Sequence, residues 1–300
     1  MGCELNGGSE GTGTLSLSIT DAPVDSERIT GVTVSIESVQ YNRNGEWENM
    51  EGFEGPKAYD LLTLTNGKSE LLGDLVLPAG AYSQIRFMLD VAERGGGAPT
   101  SPGSYVTVNT ESGSEQKALF VPSAGQTGYK AQVGEEESFT VPENGTVSVT
   151  ADFDLRKALV RTGGTGTGTE TRYILKPTLR LIVEGQAGSI EGAVTNSAGA
   201  EKLAVFAYED GTFEQAEADD PADEEESRYA NAVTSGTVED SDEDGSLDSY
   251  TLAFLAEGTY DLVIAQYDSG GNYVSGSGEA VDVEDVEVTA GQATEQDIEE

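Results

Sequence analysis

The sequence predicts an all-β protein made of two tandem immunoglobulin-like or prealbumin-like antiparallel β-sandwiches. Three observations carry that expectation. Apolar and polar residues alternate through much of the chain, as in Thr14-Leu15-Ser16-Leu17-Ser18-Ile19-Thr20, the pattern of a strand buried on one face. The 38 glycines, together with scattered asparagine, aspartate and proline, punctuate these runs as turns. Finally, 300 residues exceed most single sandwiches and suit two domains, each able to bury its own core.

The first strand, Thr14 to Thr20, ends in turn chemistry at Asp21-Ala22-Pro23. Gly31 to Val39 repeats the alternation, with Val32, Val34 and Ile36 on one face and Thr33, Ser35 and Glu37 on the other. Asn44-Gly45 is a hairpin signal between Gln40-Tyr41 and Trp47, because both positions of such a turn favour positive φ. Tyr59 to Leu64 is a short strand, followed by a second turn at Asn66-Gly67. Leu77-Pro78-Ala79-Gly80-Ala81-Tyr82 leads into a buried strand at Ile85 to Leu89. Tyr105 to Val108, Phe139 to Val141 and Thr146 to Phe153 continue the series, and Thr162 to Thr171 is a polar loop. Tyr173 to Val183 is expected as one long closing strand. Helical spacing is confined to Leu61–Leu72 and Leu155–Val160, each good for a turn or two.

Composition shifts after Glu184. Residues 187–300 hold 30 acidic and 2 basic side chains, a net of -28, whereas residues 1–186 hold 25 and 14, a net of -11. The division expected is a tether over 1–11, a first sandwich over 12–184, a linker over 185–188, and an acidic second sandwich over 189–300 with a polar insertion at 212–249. In the second unit Ser189 to Thr195, Leu203 to Tyr208, Tyr250 to Leu255, Thr259 to Tyr267, Tyr273-Val274 and Val281 to Val288 are the strands. Leu255-Ala256-Glu257-Gly258-Thr259-Tyr260 echoes Leu77-Pro78-Ala79-Gly80-Ala81-Tyr82. In both, a glycine turn delivers a tyrosine to the start of an apolar strand, where its hydroxyl can anchor a sandwich corner.

The charge balance excludes whole classes of function. With 55 acidic residues, 16 basic ones and a formal net charge of -39, the surface repels phosphate backbones, so no nucleic-acid partner is expected. Two readings of the charge compete: hydration and screening in salty water, and a cation-binding surface. The chain has no histidine and therefore lacks the commonest general base. With no catalytic motif either, no enzyme is expected. The single cysteine, Cys3, rules out an internal disulfide. Its setting in Met1-Gly2-Cys3 before a polar, glycine-rich stretch resembles the processing site of a bacterial lipoprotein. On that reading Cys3 is the lipid anchor, the only route to a membrane, and the location is the cell envelope or beyond. The alternative is a lone thiol in a tail.

Residues 12–183 resemble the family called domain of unknown function 4382. The resemblance is carried by Gly13 to Pro23, Tyr59-Asp60-Leu61-Leu62, Leu77-Pro78-Ala79-Gly80 with Ile85-Arg86, Phe153-Asp154-Leu155-Arg156-Lys157, and Tyr173-Ile174-Leu175-Lys176-Pro177-Thr178-Leu179-Arg180. It implies a secreted or lipoprotein context and a β-sandwich, and no known activity. The second unit looks like a transthyretin-like, carboxypeptidase-regulatory type of domain. That likeness rests on Gly188 to Thr195, Tyr250 to Leu255 and Gly258-Thr259-Tyr260. Domains of that type serve as spacers, adhesion modules or carbohydrate-binding accessories.

Four features are candidate sites. Asp240, Asp242, Asp244, Ser246 and Asp248 have the spacing of a calcium loop: alternate carboxylates converge on a hard cation, and Gly245 permits the sharp turn. Thr251 replaces the acidic residue of the twelfth position, so any affinity is expected to be weak. The alternative is an acidic hairpin. A second cluster, Asp219, Asp220, Asp223, Glu224, Glu225 and Glu226, reads as a solvated charge run. Arg156, Lys157, Arg161, Arg172, Lys176 and Arg180 either form a stripe that receives the acidic second unit, of this chain or another copy, or neutralise Asp152, Asp154 and Glu170 locally. Trp47, Tyr41 and Phe53 either form a carbohydrate platform or belong to the core, the commoner fate of a lone tryptophan in a sandwich. Three functions follow: a non-enzymatic structural and adhesion module, a module binding carbohydrate or another extracellular ligand, and a self-assembling fibre subunit. Calcium is the one cofactor expected. An extracellular polymer or protein is the partner class.

Overall fold

The computed structural model describes residues 11–22, 29–43, 45–91, 103–110, 113–122, 127–133, 138–162, 172–195, 200–219, 227–241, 246–268 and 272–299. The chain is all-β, built as sandwiches. The first unit contains β1 (Thr12–Thr20), β2 (Ile29–Arg43), β3 (Glu46–Asn49), β4 (Lys57–Asp60), β5 (Glu70–Pro78), β6 (Gly80–Tyr82), β7 (Gln84–Leu89) and β8 (Tyr105–Thr110). It continues with β9 (Gly113–Phe120), β10 (Tyr129–Gln132), β11 (Phe139–Val141), β12 (Thr146–Asp152), the short helix α1 (Leu155–Ala158), β13 (Leu159–Thr162), β14 (Arg172–Leu175) and β15 (Arg180–Val183).

These strands do not divide into two separate sheets. They follow one hydrogen-bonded path, β13-β14-β9-β8-β2-β7-β10-β15-β12-β1-β5, with β3 and β4 both on β2 and a separate β6–β11 pair. The path encloses a single core that includes Leu15, Leu17, Val34, Leu75, Phe87, Val106, Tyr129, Ala151 and Leu175. Period-two alternation puts these side chains inward, as expected of half-buried strands. The pairing corrects the purely antiparallel expectation, because β1–β12, β10–β15 and β14–β9 are parallel. The long closing strand expected from Tyr173 to Val183 is also corrected. Lys176 to Leu179 break it into β14, beside β9 and β13, and β15, beside β10 and β12. Pro177 lies in that break, and proline cannot donate to a ladder. The helical candidates shrink to a 3-10 turn at Leu61–Thr63 and to α1.

The second unit contains β16 (Ala187–Thr195), β17 (Lys202–Glu209), β18 (Thr234–Thr237), β19 (Ser249–Ala256), β20 (Gly258–Tyr267), β21 (Val283–Val288), β22 (Ala293–Glu295) and β23 (Ile298–Glu299). Two four-stranded sheets, β19-β16-β22 with β23 on β16, and β18-β17-β20-β21, close on a core including Ile190, Val205, Leu252, Leu262 and Val286. Here β22 and β23 run parallel to β16. Residues 185–188, expected as a linker, complete a 3-10 turn (Glu184–Gln186) and begin β16.

A third apolar cluster lies on the outer face of β17 and β20. Phe206, Tyr208, Val263, Ala265 and Tyr267 meet Ala218, Tyr229 and Ala232 there. The last three belong to the polar insertion, which folds back as a cover and also supplies β18. Consequently β17 and β20 are buried on both faces, and their sequences run almost continuously apolar.

Both tyrosine corners form. Tyr82 donates to the Pro78 carbonyl at 2.6 Å and Tyr260 to the Ala256 carbonyl at 2.9 Å. The same four-residue reach recurs in each unit, so the sequence echo is a structural one.

Candidate functional site

The anchors that lie far apart in sequence converge on one ionic node where the two units meet. β12 delivers Asp152, and the chain then turns through Asp154, whose φ of 39° is left-handed. A non-glycine residue pays steric strain there, and such strain collects at functional positions. The turn is held by the Asp152 carboxylate, which accepts from the Asp154 N–H at 3.1 Å. It is also held by Asp21, which accepts from the Leu155 N–H at 2.8 Å. That geometry launches α1 with Arg156 and Lys157 beside Asp154.

Arg156 is 4% exposed although it carries a full charge. Its guanidinium meets the Asp154 carboxylate at 3.3 Å. It also donates to the Tyr229 carbonyl at 3.1 Å and the Ala232 carbonyl at 2.8 Å, and it lies 5.8 Å from the Phe206 ring centroid. A residue of the first unit is thus inserted beneath the insertion that covers the second. Such burial is tolerated because carboxylate and carbonyl oxygens replace the lost water. Lys157 joins Asp154 at 3.3 Å and Arg180 joins Asp152 at 2.7 Å.

The electrostatics follow the packing. Burial raises the Asp154 carboxyl, but the fields of Arg156 and Lys157 outweigh it and hold the group below its ordinary value. Burial lowers Lys157, which Asp154 only partly offsets. Among the described residues Asp21 has no cation of its own. Desolvation, reinforced by Asp152 and Asp154, lifts it well above the usual carboxylate range despite the Leu155 N–H. Its second oxygen has no hydrogen-bond partner among the described residues.

A second docking point lies at the Asn66-Gly67 turn. The Asn66 amide donates to Thr237 Oγ1 at 2.9 Å and accepts from the Thr237 backbone N–H at 2.8 Å, so the turn reads both the side chain and the backbone of β18. Lys68 pairs with Glu239 at 3.0 Å. Gly67 has φ 76°, and a Cβ there would stand 3.1 Å from that of Ala253.

Between the units opens a cleft of about 600 Å3. The first unit contributes Asp154, Lys157, Thr178 and Arg180, and the second contributes Glu209, Thr212, Glu214, Asn231 and Val233. Its cations are matched by Asp152 and Asp154, while Glu209 and Glu214 face them from the second unit.

The remaining expectations sort themselves against this geometry. Of the basic stripe, Arg156, Lys157 and Arg180 gather at the node, while Arg161 and Arg172 lie on β13 and β14. Three of the six cations therefore neutralise Asp152 and Asp154, and Arg156 also receives the second unit of its own chain; Lys176 lies in the break between β14 and β15, and Glu170 lies outside the described residues. In the calcium loop, Asp242 and Asp244 lie outside the described residues, as do Cys3 and all of the second acidic cluster except Asp219. Asp248 spends both carboxylate oxygens on the Ser241 N–H and hydroxyl, each at 2.9 Å. These bonds hold its carboxyl below the ordinary value. Among the described residues no group of three or more potential metal ligands is assembled. The aromatic platform is not assembled either. Tyr41 is core and Phe53 packs against the core, whereas Trp47 sits half-buried opposite Asn42. That corrects the core reading of Trp47, which lies over Arg86 at 4.4 Å.

Fold and site together define a tandem all-β sandwich protein with an ion-paired junction. The family described as Domain of unknown function (DUF4382) matches residues 12–177, and the chain belongs to that family. No curated protein matches it. Among solved structures, a leucine-rich repeat protein from Bacteroides thetaiotaomicron is 10% identical over 97% of this chain, with a TM-score of 0.25. This chain spans only 26% of that protein's length. BcpA, the major pilin subunit of Bacillus cereus, is 10% identical with a TM-score of 0.21, over 96% of this chain and 69% of its own. GBS52, the minor pilin of Streptococcus agalactiae, is 11% identical with a TM-score of 0.21, over 95% and 94%. At such scores no function is transferred. Among the described residues no helix is long and apolar enough to cross a membrane.

Proposed function

We infer that this chain is a non-enzymatic structural and adhesion module of the bacterial surface, which holds its two sandwiches in one fixed orientation. The observation that carries this reading is Arg156, buried across the junction and bonded at once to Asp154 and to the Tyr229 and Ala232 carbonyls. A flexible tandem would leave such a charge in water; a load-transmitting spacer benefits from a joint that cannot open without exposing an unpaired ion. Support for a non-catalytic role comes from the cations of the cleft, Lys157 and Arg180, which are held by Asp154 and Asp152. The surface location rests on the lipoprotein-like setting of Cys3 and on the acidic exterior.

Small-angle scattering and thermal unfolding of wild type and Arg156→Ala test the joint. Wild type is expected to show one set of interatomic distances and a single cooperative transition. Breaking a buried pair costs about 3–5 kcal/mol, so the variant should broaden its distance distribution and separate into two transitions. A wild-type chain whose units already melt independently and tumble freely would refute a rigid module.

Weak calcium binding at Asp240, Asp242, Asp244, Ser246 and Asp248 belongs to the same reading, as a stiffening device for the outer unit. Calcium at about 1 mM should then raise the melting temperature, and Asp240→Asn with Asp244→Asn should abolish the rise. No change in wild type would remove calcium from the account.

A further inference from the structure

The outer face of the first unit carries a second feature that the junction does not use. Opposite the core side of β3, β2, β7 and β10, the register sets Asn49 beside Gln40, Gln40 beside Arg86, and Arg86 beside Lys130. A parallel row pairs Gln84 with Gln132. Intervening residues such as Tyr41, Ile85 and Tyr129 face inward to the core, so these polar side chains point outward together. Trp47, paired with Asn42, lies at the β3 end of the strip.

The strip is ordered by its own bonds. Gln40 donates to Asn49 at 2.6 Å. Arg86 donates through Nε to Gln40 at 2.6 Å and through Nη1 to the Thr127 carbonyl at 3.1 Å. The Arg86 guanidinium lies 4.4 Å and the Lys130 ammonium 5.8 Å from the Trp47 ring centroid. Among the described residues neither Arg86 nor Lys130 has a carboxylate partner. In a chain with 55 acidic and 16 basic residues, two cations resting on the only tryptophan without a counter-ion form a local exception. Screening beyond a Debye length of about 8 Å at physiological salt weakens the remote carboxylates, so that the nearest charges, these two cations with Glu46 and Glu48 of β3, set the field over the strip.

We propose that this face binds an acidic polysaccharide, a chain of sugars bearing carboxylate or sulfate groups. Each chemical element of the strip has a counterpart in that ligand. Carboxamides donate and accept at once, as sugar hydroxyls do. The indole face that Arg86 does not cover can meet sugar C–H groups, and the remaining donors of Arg86 and Lys130 take the anionic substituents. Strands about 4.8 Å apart make the Asn49-to-Lys130 row roughly 14 Å long, the scale of a short oligosaccharide. Asn49 and Lys130 are exposed at the two ends of the row, which suits a polymer passing across it.

The test is affinity electrophoresis and calorimetry of the full chain with polygalacturonate, with a sulfated glycan and with neutral dextran. A chelator is present, so that bridging cations between polymer and acidic surface cannot mimic the contact. Wild type should bind at least one of the anionic polymers and ignore dextran. Trp47→Ala should weaken binding about tenfold or more, and Arg86→Gln with Lys130→Gln should do the same while leaving the melting temperature close to wild type. Lys130→Glu, at an exposed position, serves as a variant that removes the cation without touching the core. Three outcomes would overturn the proposal: no binding of either anionic polymer, equal binding by wild type and all variants, or concentration-dependent self-association without glycan that the same substitutions abolish. The last would assign the strip to a second copy of this chain.

Discussion

At the residue scale, Asp21 and Asp154 respond to the same junction with opposite signs. Asp154 is held below its ordinary value by Arg156 and Lys157. Its stabilising contribution is therefore present above the unfolded pKa and lost as pH falls through the folded one. Asp21 is raised by burial, so the folded state binds the extra proton. Its contribution is present below the unfolded value, about 3.9, and falls away as pH rises through the folded pKa. Asp21→Asn keeps an acceptor for the Leu155 N–H and removes the buried charge. Thermal melts should place this variant above wild type at about pH 8 and near or below it at about pH 4. A loss at about pH 8 that is larger than the loss at about pH 4 would mean that Asp21 is needed as an anion.

At the scale of elements, the two tyrosine corners tie a glycine turn to the strand that follows. Each hydroxyl bond, from Tyr82 to Pro78 and from Tyr260 to Ala256, is worth about 1 kcal/mol. Tyr82→Phe and Tyr260→Phe should each lower the stability of their own unit by that amount in denaturant titrations. A silent substitution would show the hydroxyl bond to be incidental in that unit. The Asn66-Gly67 turn is a different kind of element. It is legible as a turn from its two residues, but its use as a knob against β18 depends on the Thr237 N–H, some 170 positions away in sequence. No local pattern announces such a partner.

For the whole molecule, charge dominates. A net of -39 makes the compact state repel itself, and added salt screens that repulsion. The melting temperature should rise between about 0.05 M and about 1 M NaCl. The second unit, with a net of -28 over residues 187–300, should gain most. A melting temperature that falls with salt would mean that paired charges such as those at the junction outweigh the global repulsion.

How far the sequence reached can be read from particular strands. Alternation placed β1 and its inward face, because a half-buried strand must repeat every two residues; it also found β2 and β12, although residues 31–36 and 149–152 are buried on both faces. Glycine marked the hairpin at Gly45 (φ 87°) and the corner at Gly80 (φ 155°), because only certain residues adopt those backbone angles cheaply. β9, Gly113–Phe120, escaped because its side chains stay mostly exposed and leave no apolar period. The run Leu203 to Tyr208 held an unused signal: its lack of alternation already implied burial on both faces, and hence the cover that the insertion provides. The sequence by itself determined strands, turns, two separate interiors and a carboxylate-rich exterior, all of which follow from local periodicity and composition. Only the tertiary structure decided that Arg156 enters the other unit, that Asp21, Asp154 and Arg180 share one node, and that Trp47 faces outward beside Arg86. Those are meetings between distant strands, fixed by which edges and faces come together, and no window of neighbouring residues encodes them.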